Sequence, residues 1–171
     1  MKNIYLIGMM GSGKTSCGRE LAKLLSLTFV DLDSEIEKRA GKPISDIFKT
    51  EGEPHFRKLE RDELAQVAGS ADHVVATGGG IVLNPTNCEI MRQTGTVIYL
   101  RANLNQLWDR VKRNSTRPLL ETSDPKESLA NLFREREPIY RDIANMVVVT
   151  DRKTHQAVAR ELRDKCLARQ A

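Results

Sequence analysis

Apolar residues along this chain fall alternately into short unbroken runs and into helical spacings. Ile4, Tyr5, Leu6 and Ile7 form one run, the pattern of a strand covered on both faces. Cys17, Leu21, Leu24 and Leu25 follow at helical spacing, with charged residues between them. Leu27 to Val30 is the next run, and it stops at Asp31-Leu32-Asp33. Ser34 with Glu37 three residues on predicts a capping box for the following helix, with Gly41 as its stop. Pro43 to Thr50 reads as a short helical piece ended by Gly52. Pro54 suits the first turn of a further helix that turns Phe56, Leu59 and Leu64 inward and carries Arg57 and Glu60 near its start.

His73 to Thr77 is a third strand running into Gly78-Gly79-Gly80. Thr96 to Leu100, with Gly95 as punctuation before it, is a fourth, and Met146 to Thr150 a fifth. Helical segments separate them: Pro85 to Thr94, the spacing Leu104, Leu107, Trp108 and Val111, and a stretch restarting at Leu129, Leu132 and Phe133 and carrying Arg134 and Arg136 up to Pro138-Ile139-Tyr140. A closing helix aligns Val158, Leu162 and Cys166. Periodicity fails from 114 to 125. That stretch holds Arg117 and two leucines, 119 and 120, that read as exposed, so it predicts a mobile lid, with an ordinary surface loop as the alternative. Five strands alternating with helices predict a three-layer α/β/α fold around a five-stranded parallel sheet, with ligands bound outside the carboxyl ends of the strands.

The first strand leads straight into Gly8-Met9-Met10-Gly11-Ser12-Gly13-Lys14-Thr15, the pattern G-x-x-x-x-G-K-[ST] between a strand and a helix. Glycines allow the backbone angles that turn a row of N–H groups toward a phosphate, and the helix N-terminus adds its positive end. Lys14 is a point charge for the outer phosphates, and Thr15 offers a hydroxyl to Mg²⁺. The other candidate features sit at strand ends as well: Asp31 and Asp33 after the second strand, the three glycines after the third.

Length and composition add bounds. The chain has 171 residues, 40% hydrophobic and 29% charged, with no linker-like composition or internal repeat, which predicts one domain over 1–171. Lys and Arg outnumber Asp and Glu by 27 to 23. That mild excess suits anionic small substrates, and no nucleic-acid-binding signature or basic tail accompanies it. Cys17, Cys88 and Cys166 are odd in number, far apart and without histidines at metal-ligand spacing, so they read as reduced, buried thiols of a cytoplasmic protein. The opening apolar run is too short for a signal peptide, and nothing argues for a membrane partner.

Taken in order, the phosphate loop with Gly18-Arg19, Asp31-Leu32-Asp33, Gly52-Glu53 with Phe56-Arg57 and Glu60, Gly78-Gly79-Gly80, Arg117-Pro118-Leu119-Leu120 and Arg136-Glu137-Pro138-Ile139-Tyr140 resemble the shikimate kinases over essentially the whole chain. Asp142 stands where relatives commonly have Glu, which keeps the charge. The resemblance implies a P-loop fold of the nucleoside monophosphate kinase type and transfer of the γ-phosphoryl of ATP to the 3-hydroxyl of shikimate, on the route to aromatic amino acids; a monomer is the default expectation for a compact domain of this size.

By the same resemblance, Gly11, Ser12, Gly13, Lys14, Thr15 and Ser16 hold the nucleotide phosphates. Thr15 and, through water, Asp31 hold Mg²⁺. Asp33, Arg57, Gly79 and Arg136 contact shikimate, Arg117 closes on ATP, and Arg110 lies beside the adenine. Lys14, Asp33 and Arg117 are then the catalytic group. From the residues alone, Asp33 reads equally as a carboxylate favoured by a helix N-terminus, Arg57 and Arg136 as solvated arginines, and Glu60 as a partner holding Arg57. A kinase for gluconate or a nucleoside monophosphate, and a nucleotide-driven switch, are the other readings.

Overall fold

The computed structural model describes residues 1–113 and 117–169. Its strands are β1 (Asn3–Ile7), β2 (Thr28–Asp31), β3 (His73–Ala76), β4 (Gly95–Arg101) and β5 (Met146–Val149). All four pairings are parallel, in the order β2-β3-β1-β4-β5. Helices α1 (Lys14–Leu25), α2 (Leu32–Ala40), α3 (Ile44–Glu51), α4 (Glu53–Ala68), α5 (Pro85–Thr94), α6 (Leu104–Val111), α7 (Pro125–Ile143) and α8 (His155–Ala168) connect and cover them. Among the described residues no helix is long and apolar enough to cross a membrane.

Strand alternation builds two cores from one run of sequence. Ile4 and Leu6 of β1 face α1 and α8, where Cys17, Leu21, Val158, Leu162 and Cys166 close the layer. Tyr5 and Ile7 face the opposite way, onto Leu64, Met91, Leu107 and Tyr140 of α4 to α7. Every residue of β1 is buried. This strand lies between β3 and β4, so its carboxyl end opens where the sheet order changes direction, the position at which such folds bind ligands. A smaller third cluster, Ile36, Ile47 and Phe56, ties α2, α3 and α4 together beside that end.

Four local expectations are corrected. Helix α2 begins before Ser34: Asp31 is extended and is itself the N-cap, its Oδ1 accepting from the Ser34 N–H at 3.2 Å, while Glu37 reaches forward to the Ile44 N–H at 2.9 Å and links α2 to α3. Gly95 does not merely punctuate. It opens β4 opposite Asn3, and a Cβ there would stand 2.3 Å from the Asn3 carbonyl oxygen. The irregular stretch is shorter than expected, since Pro118–Leu120 forms a 3-10 turn with Leu120 buried in the main core and α7 starts at Pro125. Residues 114–116 of that stretch lie outside the described residues. Finally, α7 does not end near Pro138. The proline costs one backbone bond, while Leu129, Tyr140 and Ile143 keep the helix on the core through to Ile143.

The three cysteines are free and buried, as expected. The small cluster under α2 to α4 has few other contacts to spread a cavity over. Ile47, fully buried there, should cost about 2–5 kcal/mol when truncated to Ala, read as a lower urea midpoint with an unchanged slope.

Candidate active site

Beyond β1 the chain must turn tightly into α1, and glycine makes the turn possible. Gly8 has φ +144° and Gly13 φ +93°, both in the region that L side chains avoid, and a Cβ on Gly8 would meet the Leu100 carbonyl oxygen at 2.6 Å. The turn encloses a cavity of about 210 Å³ lined by Gly11, Gly13, Lys14, Thr15, Ser16, Arg110 and Arg117. Lys14 is buried, and its Nζ donates to the carbonyls of Gly8 at 2.7 Å and Met9 at 2.9 Å. Burial, then the neighbouring Arg117, lowers its pKa to about 7, against the pull of Asp33 and Asp31. Arg110 is tied to the loop through the Gly11 carbonyl at 2.8 Å.

Thr15 Oγ1 donates to Asp31 Oδ2 at 2.7 Å, so a hydroxyl and a carboxylate stand side by side at the mouth of the loop. Among the described residues no group of three or more His, Cys, Asp or Glu is placed to hold a metal. Two hard oxygens fit Mg²⁺, which takes one or two protein ligands and completes its shell with phosphate oxygens and water.

A second cleft, of about 510 Å³, adjoins the first and shares Met10, Thr15, Asp31, Asp33, Gly79 and Arg117 with it. Asp33 enters from the first turn of α2, Arg57 and Glu60 from α4, Gly78 to Gly80 from the end of β3, and Arg136 from α7. Ile44, Phe48, Phe56, Pro118 and Leu119 make its apolar wall. Arg57 donates to Glu60 Oε1 at 3.0 Å and to Glu53 Oε1 at 3.1 and 3.3 Å, and its guanidinium lies 5.2 Å from the Phe56 ring centre.

The glycine triplet is required here for space, since none of the three has a positive φ. A Cβ would stand 2.4 Å from the Arg57 guanidinium nitrogens at Gly80, 3.3 Å from Arg136 Nη1 at Gly79, and 2.7 Å from Glu60 Oε2 at Gly78. The bare backbone lets the two guanidinium groups and the carboxylates converge on one wall.

Charge is concentrated in this cleft beyond what the protein pairs internally. Among the described residues, six buried side-chain nitrogen or oxygen atoms have no hydrogen-bond partner; four belong to residues that line this cleft, Asp33 Oδ1, Glu60 Oε2, Arg117 Nε and Arg136 Nε, and a fifth, Ser12 Oγ, lies in the adjoining phosphate loop. Stranded polar atoms are costly, so their clustering marks a place built for a polar ligand. Burial, reinforced by Asp31, raises the Asp33 pKa, and burial raises that of Glu60 to about 7.

The structure therefore brings Lys14, Thr15, Asp31, Asp33, Arg57, Gly79, Arg117 and Arg136 to the two joined clefts, and Ser12, Ser16, Gly11, Gly13 and Arg110 to the phosphate loop or its rim. Arg136 is only 2% exposed, which sets aside a solvated arginine at that position. Glu60 does hold Arg57, but it is also buried, with its second oxygen turned toward Gly78. Sequence reading missed Tyr140, whose hydroxyl donates to the Gly79 carbonyl. Its place one turn after Arg136 was the available signal.

The model of the shikimate kinase family matches residues 10–167. The chain is 46% identical over 160 residues to a shikimate kinase of Nitrosospira multiformis, covering 94% of this chain and 82% of that protein. It superposes on a shikimate kinase from Acinetobacter baumannii, solved in complex with shikimate, with a TM-score of 0.96 and 37% identity over 99% of this chain and 94% of the other. A deoxyadenosine kinase from M. mycoides shares the fold at a TM-score of 0.62 and 15% identity, covering 97% and 98% of the two chains. The architecture is that of a P-loop kinase of the nucleoside monophosphate kinase type.

The raised Glu60 pKa has a thermodynamic consequence. A carboxyl that holds its proton more tightly folded than unfolded favours the fold below about pH 4.5, and that contribution is lost as pH rises through about 7. Asp33 acts in the same direction. Urea melts between pH 5 and 7 should show stability falling with pH, by up to about 3 kcal/mol for Glu60, while above about pH 7 the lowered pKa of Lys14 acts in the opposite direction. Glu60→Gln should flatten that slope, leaving the part due to Asp33.

Proposed function

The chain belongs to the shikimate kinase family, and we propose that it transfers the γ-phosphoryl of ATP, with Mg²⁺, to the 3-hydroxyl of shikimate. The observation that carries this reading is the pair of clefts meeting at Asp33 and Arg117, one shaped for phosphates and the other presenting two guanidinium groups, a carboxylate and a glycine turn. All of these groups come from one chain, in segments spread from Met10 to Arg136. That supports a single domain over 1–171, a segment around 114–125 that acts as lid, and a monomer as the working unit. Free, buried cysteines accord with a cytoplasmic setting.

Phosphoryl transfer needs positioning and positive charge more than covalent chemistry from the protein. The amides of Gly11 and Gly13, with Ser12 between them and Ser16 at the start of α1, cradle the phosphates, and Lys14 meets the outer ones, whose charge favours its protonated form. Thr15 and Asp31 would hold Mg²⁺, which supplies charge neutralisation to the bridging oxygens. Arg110 flanks the adenine. Arg57 and Arg136 grip the shikimate carboxylate as planar forks, and the Gly79 amide takes a ring hydroxyl. Asp33 accepts the hydrogen bond of the attacking hydroxyl, and its raised pKa improves it as a proton acceptor. Arg117, common to both clefts, answers the charge that develops between donor and acceptor, while Phe48, Phe56 and Leu119 exclude water.

A coupled ADP-release assay offering shikimate, gluconate and AMP separately tests the acceptor, with turnover expected for shikimate. Shikimate methyl ester should be poorer by roughly 30-fold or more in kcat/KM, because losing the carboxylate strands two desolvated arginines, a cost of about 2–5 kcal/mol. Equal kcat/KM for acid and ester would remove the carboxylate role of Arg57 and Arg136. Arg117→Ala should lower kcat by roughly 10²-fold or more, the order expected of a cation acting in the transition state. A wild-type kcat in that variant would show that charge at the seam is supplied elsewhere.

A further inference from the structure

Tyr140 is fully buried on α7, one turn beyond Arg136, its ring stacked on Tyr99 with centroids 5.0 Å apart. Its hydroxyl donates to the Gly79 carbonyl and lies 3.8 Å from Met9 Sδ of the phosphate loop, so one oxygen sits at the seam between the two loops. Burial pushes the phenol up, which keeps it a donor.

Among the described residues there is no cis peptide, so the N–H of Gly80 points opposite to the carbonyl of Gly79. That carbonyl is drawn toward Tyr140 in the core, and the N–H is thereby turned outward. Neighbouring donors of this turn are satisfied internally, Ile81 N–H by the Gly78 carbonyl and Leu83 N–H by that of Gly80. The N–H groups of Gly79 and Gly80 have no acceptor among the described residues, and both glycines line the larger cleft.

We propose that Tyr140 is a positioning residue: by fixing the Gly79 carbonyl it presents the Gly80 N–H, beside that of Gly79, as a donor pair for an oxygen of the acceptor. This rests on the reading of that cleft as the shikimate site. The hydroxyl never touches the acceptor. It acts through the peptide and through Arg136, whose guanidinium stands beside it, and through Met9 only weakly, because a thioether is a poor hydrogen-bond acceptor.

Tyr140→Phe removes one oxygen and keeps the stacked ring. KM for shikimate should rise about fivefold, the worth of one neutral hydrogen bond, while KM for ATP stays within about twofold. A merely structural tyrosine would lower the melting temperature without splitting the two KM values. An unchanged KM for shikimate, or an equal rise in both, overturns the proposal. In the wild-type protein, titration with shikimate should move the Gly80 amide proton resonance to saturation, and a resonance that stays in place while shikimate binds overturns it without any variant. Wild-type enzyme that turns over gluconate or AMP but not shikimate would instead remove the substrate reading, and the same KM split would then be sought with that acceptor.

Discussion

Keeping charged groups out of water while pairing them to one another only in part is the constraint that this structure answers. Lys14, Arg117 and Arg136 face Asp31, Asp33 and Glu60 across two small joined cavities, and several of their polar atoms have no internal partner. Left free to relax, such groups would collapse into local salt bridges or turn to solvent. Here α4 and α7 anchor the arginines at their backbones, Glu60 and Glu53 fasten one side of Arg57, and the glycine triplet leaves no room for retreat. The perturbed pKa values of Lys14, Asp33 and Glu60 express the same cost in protons.

Holding charge this way requires a rigid floor, and β1 supplies it. Paired on both sides and buried along its length, it fixes where the phosphate loop starts, while β3, its neighbour, fixes where the glycine turn starts. The two loops lie against each other: a Cβ on Gly79 would be 3.6 Å from the Gly8 carbonyl oxygen and from the Met10 amide nitrogen. The two clefts are thus adjacent because adjacent parallel strands end together. The wall of the larger cleft carried by α2, α3 and α4 has its own small core around Ile47 and Phe56, which separates its packing from that of the phosphate loop.

Much of this was legible in the sequence because it depends on local period and local turn chemistry. Short β-rich runs against helical spacing gave five strands in the right places, and G-x-x-x-x-G-K-T carried its own mechanism. The expectations that failed are those where a tertiary contact outweighs a local signal. Asp31 displaced Ser34 as cap because the end of β2 already held it extended, and Leu120 was hidden because tertiary packing in the main core, not a local signal, buries it. Pro138 does not end α7 because burial of Tyr140 and Ile143 outweighs one lost backbone bond. Arg136 could be placed at the site by resemblance, but nothing in its local sequence says that it is buried.

Gly78-Gly79-Gly80 shows why the distinction matters for function. Three consecutive glycines at a strand end fit a tight turn or a backbone pressed against a ligand, and among the described glycines the positive φ values belong to the phosphate loop and to the turns at Gly41 and Gly52. What the triplet contributes is the absence of side chains, at a wall where Arg57, Glu60, Asp33 and Arg136 all close in. A backbone stripped in this way presents its own N–H groups, whose direction must then be set from behind. Tyr140, on the same helix as Arg136, reaches the hidden face of that wall while Arg136 reaches the open one. One helix therefore brings a charge to the open face of the wall and a hydrogen-bond donor to its hidden face, and the geometry of the cleft becomes a property of how α7 packs on the end of β3.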